Sequence, residues 1–330
     1  MKHIRFAAAL FVVPVLAVSF QVNRVSAQGL PPIDRNSAYT DALPDYADPS
    51  QDVPQSASIE KQTLSDCTME RLTYKSTNGE TVPALLFIPT TATAAKPVPC
   101  VILLHGLGGS KETMAPVARL LGGLGYASLA IDEYGQGERT TPNVNTTDTA
   151  HLTGLILKGI PQTAVDVRRG IDLISARKNI DSSRIGLLGV SLGAIIGTVT
   201  AGVEPRIKTT VLISGGGNWG VILNAISNSG LLTNGQPGTP LKPSDLAMIT
   251  MGLASVDPLT FAGHIAPRSL LMESGRLDNI IPPDSTQQLY DAASAPKNSD
   301  VHIDWYAQSR HVPDPTLTAP VVQKWLASHL

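Results

Sequence analysis

A serine flanked by two glycines stands where a strand-like segment gives way to a helix-like one. Residues 189–193 read Gly-Val-Ser-Leu-Gly, with a strand-like run at 185–188 before them and Ala-Ile-Ile at 194–196 after them. A sharp strand-to-helix turn strains the serine backbone, exposes its hydroxyl and puts it at a helix N-terminus. We therefore expect Ser191 to be a nucleophile for acyl transfer. A glycine-rich turn that holds an inert serine is the alternative.

A second glycine-containing segment, residues 105–109 (His-Gly-Leu-Gly-Gly), follows the expected strand 98–104. Acyl transfer places negative charge on the former carbonyl oxygen, so hydrogen-bond donors must already point at that position. We expect these oxyanion-hole donors to be the backbone N–H groups of Leu107 and Leu192, the latter being the residue after the nucleophile. His105 could be the general base, but its position before the serine favours a brace that holds this loop by hydrogen bonding.

The base that accepts the serine proton must lie within hydrogen-bond reach of it and needs an acid on its other ring nitrogen. On a sheet whose strand-to-helix turn presents the serine, the chain order is serine, acid, histidine. Four histidines follow the serine. His302 lies inside the last expected strand, His329 is at the C-terminus, and His264 precedes the strand expected to deliver the acid. His311, in the loop past the last strand, is therefore the expected base.

The expected acid is Asp278, in the loop that follows the strand near residues 268–273. A short carboxylate at the carboxyl end of a strand can reach over to the histidine. Glu273 is the rival, although it is still on the strand or at its edge. Asp304 lies within a strand and Asp257 in a long insertion, and both fit surface or capping positions better.

Apolar runs and helix-like segments alternate along most of the chain. The clearest helix signal begins at Pro161, a favoured first position, and puts apolar residues along one face. This alternation predicts an α/β domain with a mostly parallel sheet covered by helices on both faces. A short turn at Asn78-Gly79 joins the first two strands, which should form an antiparallel hairpin. The eight expected strands lie near residues 69–76, 82–88, 98–104, 126–131, 185–190, 208–213, 268–273 and 301–306.

One connection, residues 215–267, is much longer than the others and begins Gly-Gly-Gly-Asn-Trp-Gly. Connections of this length are usually functional or contain elements of their own. Apolar positions near 221–226 and 246–253 predict two short helices that form a partial lid. Tyr134 and Trp219 are candidate substrate-binding residues, and simple packing is the alternative for each.

The N-terminal residues differ in character from the rest. Basic residues precede an apolar run over 6–20, and Val-Ser-Ala follows at 25–27, a pattern typical of a cleaved secretory signal. We expect residues 1–27 to be a signal peptide, 28–64 an extended proline-rich arm, and 65–330 the catalytic domain. An uncleaved anchor is the alternative, but the run is short of the roughly 20 residues that span a bilayer. The product is therefore expected to be secreted or periplasmic, with no stable membrane insertion.

Composition excludes several other classes of protein. A chain of 330 residues that is 42% hydrophobic and 16% charged fits a globular protein rather than a disordered chain or a coiled coil. Its net charge of −2, without a basic stripe, argues against a nucleic-acid partner. Cys67 and Cys100 are too few for a disulfide scaffold, and no cysteine or histidine cluster has metal-ligand spacing. Neither a metal nor another cofactor is expected.

Taken together, these motifs resemble those of the α/β-hydrolases, most of all the branch of dienelactone hydrolases and acetyl esterases. The segments that show the resemblance are residues 105–106, 132–139, 181–193, 275–282 and 311. The resemblance implies the sheet order 1-2-4-3-5-6-7-8, which places Cys67 and Cys100 on strands that are not neighbours. Dienelactone hydrolases proper have a cysteine nucleophile. Ser191 departs from that pattern, which favours an ordinary carboxylic ester as the substrate.

The expected activity is hydrolysis of small carboxylic esters by Ser191, His311 and Asp278, through an acyl-enzyme and with a preference for short acyl chains. A serine peptidase and a polyester or lipid hydrolase would use the same machinery. The peptidase is weakened because no large N-terminal domain fits before residue 65. A non-catalytic binding protein on this scaffold is a further alternative, and it would be expected to lack a member of the triad.

Overall fold

The computed structural model describes residues 32–48, 52–140, 154–229 and 242–330. Its framework is one nine-stranded sheet. The strands are β1 (Ser56–Thr63), β2 (Cys67–Lys75), β3 (Thr81–Pro89), β4 (Val98–Leu104), β5 (Ala127–Ile131), β6 (Ile180–Val190), β7 (Ile207–Ile213), β8 (Ser269–Gly275) and β9 (Asp300–Tyr306). The helices are α1 (Arg35–Ala42), α2 (Ala115–Gly123), α3 (Ile160–Ser175), α4 (Leu192–Val203), α5 (Trp219–Ser229), α6 (Pro243–Gly252), α7 (Pro258–Phe261), α8 (Pro283–Ser294) and α9 (Pro315–His329).

The strands follow the order β1-β2-β3-β5-β4-β6-β7-β8-β9. From β1 to β5 the neighbours pair antiparallel, and from β5 through β4 to β9 they pair parallel. The eight expected strands correspond to β2–β9, so their predicted order is confirmed. Cys67 on β2 and Cys100 on β4 are separated by two strands, and both are free thiols.

The sheet has nine strands rather than eight because β1 adds an edge to it. The segment was expected to be part of an extended arm over 28–64, and the described part of that arm also contains α1. All eight residues of β1 are exposed, so the strand has no apolar alternation that could have revealed it. Helix α1 begins after Asp34, whose carboxylate accepts from the N–H groups of Asn36 and Ser37. Tyr46, just beyond the helix, is 1% exposed, which shows that this segment packs onto the domain.

Both faces of the sheet are covered, as the alternation along β4 illustrates. Ile102 and Leu104 join one apolar cluster with residues of α3 and α4 such as Ile174. Val101 and Leu103 point to the opposite face and join a second cluster with residues of α2 and α9. All four β4 side chains are 0% exposed, as expected of a central strand in a parallel sheet. The predicted α/β architecture with helices on both faces is therefore confirmed.

Two further predictions can be compared with the described residues. Asn78 and Gly79 have φ of 56° and 76°, and their turn joins β2 to β3 as an antiparallel hairpin. The insertion 215–267 contains α5 and α6, the two expected helices, whereas residues 230–241 lie outside the described part. The proposed signal segment, residues 1–27, also lies outside it. Within the described ranges, no helix combines the length and apolar character needed to cross a membrane.

Candidate active site

Ser191 occupies the tight turn between β6 and α4. Its backbone has φ 56° and ψ −114°, a strained conformation for a residue with a side chain. The neighbouring glycines are required by space. A Cβ on Gly189 would lie 2.2 Å from the Gly193 carbonyl oxygen, and one on Gly193 would lie 2.4 Å from the Leu104 carbonyl oxygen. The Ser191 N–H donates to the Ile213 carbonyl on β7 at 2.9 Å, which helps to hold the turn in place.

The structure brings together the three side chains expected to form a triad. Ser191 Oγ lies 2.8 Å from His311 Nε2, and His311 Nδ1 lies 2.9 Å from Asp278 Oδ2. The other carboxylate oxygen, Oδ1, accepts from the N–H groups of Ile280 and Ile281 at 2.8 and 2.9 Å. Asp278 is therefore held by hydrogen bonds on both oxygens, and its orientation toward the imidazole is set by the loop itself.

The loop that bears His311 is pressed closely against the end of β8. A Cβ on Gly275 would lie 2.1 Å from the Arg310 carbonyl oxygen, so only glycine allows this approach. The Leu277 N–H donates to the Ser309 carbonyl at 2.9 Å. The Ser214 hydroxyl donates to the carbonyl of His311 itself. Ser214 thus supports the histidine, a role that the sequence analysis missed.

The expected oxyanion donors come from two segments that meet at the serine. Leu192 is the first residue of α4, where the N–H groups have no partner within the helix. The loop 105–109 lies directly beside the turn, because a Cβ on Gly106 would be 3.4 Å from Ser191 Cβ. Leu107 is the next residue in that loop. The segments that carry both expected donors therefore lie beside Ser191.

The His105 side chain is fully buried, so it has no exposed surface for a substrate. It is 0% exposed, its Nδ1–H donates to the Gly106 carbonyl at 2.9 Å, and its Nε2 accepts from the Glu133 N–H at 3.4 Å. Burial lowers the pKa of His105, which favours the neutral ring that these two bonds need. The ring therefore braces the loop. Burial, together with the neighbouring Asp132, also raises the pKa of Glu133 well above its ordinary value.

A buried ion pair ties the same loop to the segment after β5. Asp132 and Lys111 are both 0% exposed. One oxygen of Asp132 accepts from the Lys111 N–H at 2.7 Å, and the other accepts from its Nζ at 2.9 Å. Nζ also donates to Glu138 Oε1 at 2.6 Å. Burial alone would lower the pKa of Lys111, but the bonds to Glu138 and Asp132 outweigh it and raise this pKa, so the ammonium stays charged.

The two candidate substrate-binding residues have different surroundings. Trp219 is 2% exposed, and its indole N–H donates to the Val256 carbonyl at 3.1 Å. These contacts favour a packing role for Trp219, at the start of α5 and against Val256. Tyr134 is half-buried, its backbone N–H donates to Thr163 Oγ1 at 3.0 Å, and the Arg139 guanidinium lies 5.3 Å from its ring centroid. Tyr134 is therefore held in a turn.

Glu273, the rival acid, is turned away from the histidine. It is 0% exposed on β8, and its Oε2 accepts from the Tyr306 hydroxyl on β9. Burial raises the pKa of Glu273 to about 7, while the Tyr306 bond acts in the opposite sense and Asp304 adds to the increase. The folded protein therefore holds this proton over a range in which an unfolded chain, with a pKa near its ordinary 4.5, releases it.

We expect Glu273→Gln to flatten the dependence of stability on pH. In the wild type, the free energy of unfolding should fall as pH rises from about 4.5 to 7, by up to about 3 kcal/mol from this group. Glutamine can still accept from Tyr306 but has no proton to lose. Urea unfolding of both proteins between pH 4.5 and 8 tests this. Stability curves that run parallel across the whole range would contradict the assignment.

Known proteins resemble this chain in sequence and in structure. A family model described as acetyl xylan esterase (AXE1) matches residues 48–214. The putative hydrolase YtaP of Bacillus subtilis (strain 168) is 27% identical over 179 residues, which are 48% of this chain and 58% of that protein. The match thus spans less than two thirds of the curated relative. The family match includes Ser191 and the loop 105–109 and ends before Asp278 and His311.

Two solved structures extend the likeness over most of the fold. Acetyl xylan esterase 1 from Thermoanaerobacterium sp. JW/SL YS485 has a TM-score of 0.67 at 19% identity, covering 90% of this chain and 94% of the other. Acetyl xylan esterase from Paenibacillus sp. R4 also has a TM-score of 0.67 at 19% identity, with 90% and 95% covered. The fold is that of the α/β-hydrolases. In the described part of the chain, no group of three or more histidine, cysteine or acidic residues could hold a metal ion.

Proposed function

The chain belongs to the acetyl xylan esterase family and is an ester-hydrolysing enzyme, and from that premise we propose that it removes small acyl groups with a catalytic triad of Ser191, His311 and Asp278. The observation that carries the proposal is the continuous hydrogen-bonded chain from Ser191 Oγ to the Asp278 carboxylate. It begins on a strained turn, and strained backbone of this kind is concentrated at functional sites.

The mechanism follows from the direction of these bonds. His311 Nε2 accepts the proton of Ser191 as the oxygen attacks the ester carbonyl. Asp278 holds the proton on Nδ1 and stabilises the imidazolium that forms. The same proton then passes from Nε2 to the departing alcohol, which leaves an acyl-enzyme. Water then loses a proton to His311 Nε2 and attacks the acyl carbon. The bond between that carbon and Ser191 Oγ breaks, Nε2 returns the proton to Oγ, and the acid leaves.

The N–H groups of Leu107 and Leu192 stabilise the negative charge of both tetrahedral intermediates. Donors of this kind contribute most when they are already oriented, because no reorganisation is needed as the charge develops. The brace formed by His105 and the buried pair of Lys111 and Asp132 supports this orientation. The nucleophile, the base, the acid and the oxyanion donors are all groups of this chain.

The insertion 215–267 supports a small acyl pocket. Ile222 and Ile226 of α5 and Ile249 of α6 are buried, so both helices pack onto the domain. Among their described residues the exposed large apolar side chains are Met248 and Met251 of α6, which are too few for a broad lipid-binding face. A confined site gains roughly 0.8 kcal/mol per buried methylene only while there is room. We therefore propose acetyl and other short acyl groups as substrates, including the acetyl esters of xylan that the family name indicates.

We expect kcat/KM for p-nitrophenyl esters to be highest for acyl chains of roughly two to four carbons and to fall by octanoate. Release of acetate from acetylated xylan, measured beside this series, tests the carbohydrate substrate. The Ser191→Ala protein serves as the blank in every assay, because it keeps all groups except the nucleophile.

Other results of these assays would favour one of the alternative activities. Activity still rising at octanoate, or present only at an oil–water interface, would indicate a lipid or polyester hydrolase. Cleavage of an aminoacyl p-nitroanilide at a rate comparable to the acetate ester would indicate a peptidase. The signal pattern at residues 1–27 supports an enzyme that acts after export, as expected for a polymer substrate outside the cell.

A further inference from the structure

We propose that Gln136 is a positioning residue for the oxyanion donor Leu107, an inference that rests on the proposed function. Gln136 lies five residues beyond β5 and is 2% exposed. Its side-chain Oε1 accepts from the backbone N–H of Gly108 at 2.8 Å. Gly108 is the residue directly after Leu107, so this bond holds one end of the peptide unit that follows the donor.

The loop needs such a restraint because of its composition. Gly106, Gly108 and Gly109 surround the donor, and Gly108 has φ +75° with open space around it. Glycine has the widest choice of backbone conformations, so the N–H directions in such a loop depend on the hydrogen bonds that hold it. An oxyanion donor is effective only when its direction is fixed before the charge appears.

Several hydrogen bonds restrain the loop around the donor. The Leu107 N–H belongs to the peptide unit whose carbonyl, on Gly106, accepts from His105 Nδ1 and from the Gly109 N–H, both at 2.9 Å, and Gln136 restrains the next peptide unit. The His105 ring holds the start of the loop through Glu133, and Asp132 holds its far end at Lys111. Gln136 holds the middle. The restraints from Glu133, Asp132 and Gln136 all come from the residues that follow β5, so this short segment helps to set the path of the loop.

The backbone of Gln136 is itself held by hydrogen bonds, so its side chain can restrain Gly108. Its backbone N–H donates to the Glu133 carbonyl at 3.0 Å, and its carbonyl accepts from the Arg139 N–H at 2.9 Å. A Cβ on Gly137 would lie 2.3 Å from the carboxyl carbon of Asp132, so the turn fits only with glycine there. Among the described residues, Nε2 of Gln136 has no hydrogen-bond partner. The bond to Gly108 is thus the one that orients the amide.

The decisive comparison is between Gln136→Met and Gln162→Met. Gln162 is a matched control, since it is also buried and hydrogen-bonded, to Asn78 and Asp166, but its side chain makes neither of these bonds to residues 105–109. We expect Gln136→Met to lower kcat about tenfold to a hundredfold with KM nearly unchanged, because a displacement of about 1 Å can cost that much. The control should stay within about twofold of the wild type.

Two readouts separate positioning from general damage. A trifluoromethyl ketone forms a tetrahedral adduct whose oxyanion needs the same donors. Its inhibition constant should therefore rise by the factor by which kcat/KM falls. Gln136→Glu keeps an acceptor for Gly108 but places a titratable carboxyl near the oxyanion. Its activity relative to the wild type should be highest at acid pH, where the carboxyl is neutral, and fall as pH rises.

The outcomes are distinguishable. Wild-type kcat/KM and inhibitor affinity in Gln136→Met, in a preparation where the wild type is active, would overturn the positioning role alone. If Gln136→Met does not fold, Gln136→Glu decides, and a ratio to wild type that does not vary with pH would overturn the role. A wild type that hydrolyses no ester would instead refute the proposed function, and this inference with it.

Discussion

Ser191→Ala is expected to lower kcat for ester hydrolysis by several powers of ten, on the order of 10⁴ or more, while the protein stays folded. The loss is large because the alcohol oxygen is the atom that forms the acyl-enzyme, and alanine leaves nothing for His311 to activate. The fold is retained because alanine only removes an atom from a half-buried position. Hydrolysis of p-nitrophenyl acetate, together with circular dichroism, measures both effects.

Ser183→Ala is the matched control for this variant. Ser183 lies on β6, eight residues before Ser191, and its side chain bonds locally to Asp181. A fluorophosphonate should add its mass to the wild type and to Ser183→Ala, but not to Ser191→Ala. Residual activity above a few per cent in Ser191→Ala, with contamination excluded, would remove Ser191 from the role of nucleophile.

Asp278→Asn should reduce kcat almost as strongly, by a factor on the order of 10⁴. The backbone N–H groups of Ile280 and Ile281 require an acceptor at the Oδ1 position, so the amide oxygen must stay there. The amide nitrogen is then forced to face His311 Nδ1 as a donor. This favours the tautomer with its proton on Nε2, which cannot accept the proton of Ser191.

Glu273→Gln provides the comparison for this prediction, because it neutralises the other buried carboxyl at the end of β8. Its side chain bonds to Tyr306 rather than to His311, so kcat should change little. Steady-state kinetics of the two variants over a range of pH separates them. If Glu273→Gln lost far more activity than Asp278→Asn, the acid of the triad would have been assigned to the wrong residue.

Much of the architecture could be predicted because local patterns determine it. Apolar runs indicated eight strands, which are β2–β9, and their order is the one that the resemblance to the α/β-hydrolases implied. The neighbourhood of Ser191, His311 and Asp278 was also foreseeable. Chain order and the carboxyl ends of parallel strands place these residues together, although 120 positions separate the serine from the histidine.

The features that were missed depend on three-dimensional burial, which no local pattern contains. Strand β1 is exposed along its whole length, so only its pairing with β2 reveals it. Lys111 reads as a surface residue, yet it is fully buried because Asp132 and Glu138 surround it. Trp219 was a candidate wall of the pocket because of its size and its place in the insertion. The hydrogen bond of its indole to Val256 instead favours a role in packing.

The serine and the histidine of the proposed triad follow strands that differ in stability. Ser191 follows β6, which has a neighbouring strand on each side, whereas His311 follows β9, the last strand of the sheet, which is paired only with β8. Strands at the margin of a sheet open by local fluctuation more easily than those at its centre. Detachment of β9 would withdraw the base while leaving the nucleophile's turn intact. We therefore expect the contacts between β8 and β9 to set the highest temperature at which the enzyme turns over. This temperature should lie below the one at which the whole domain unfolds.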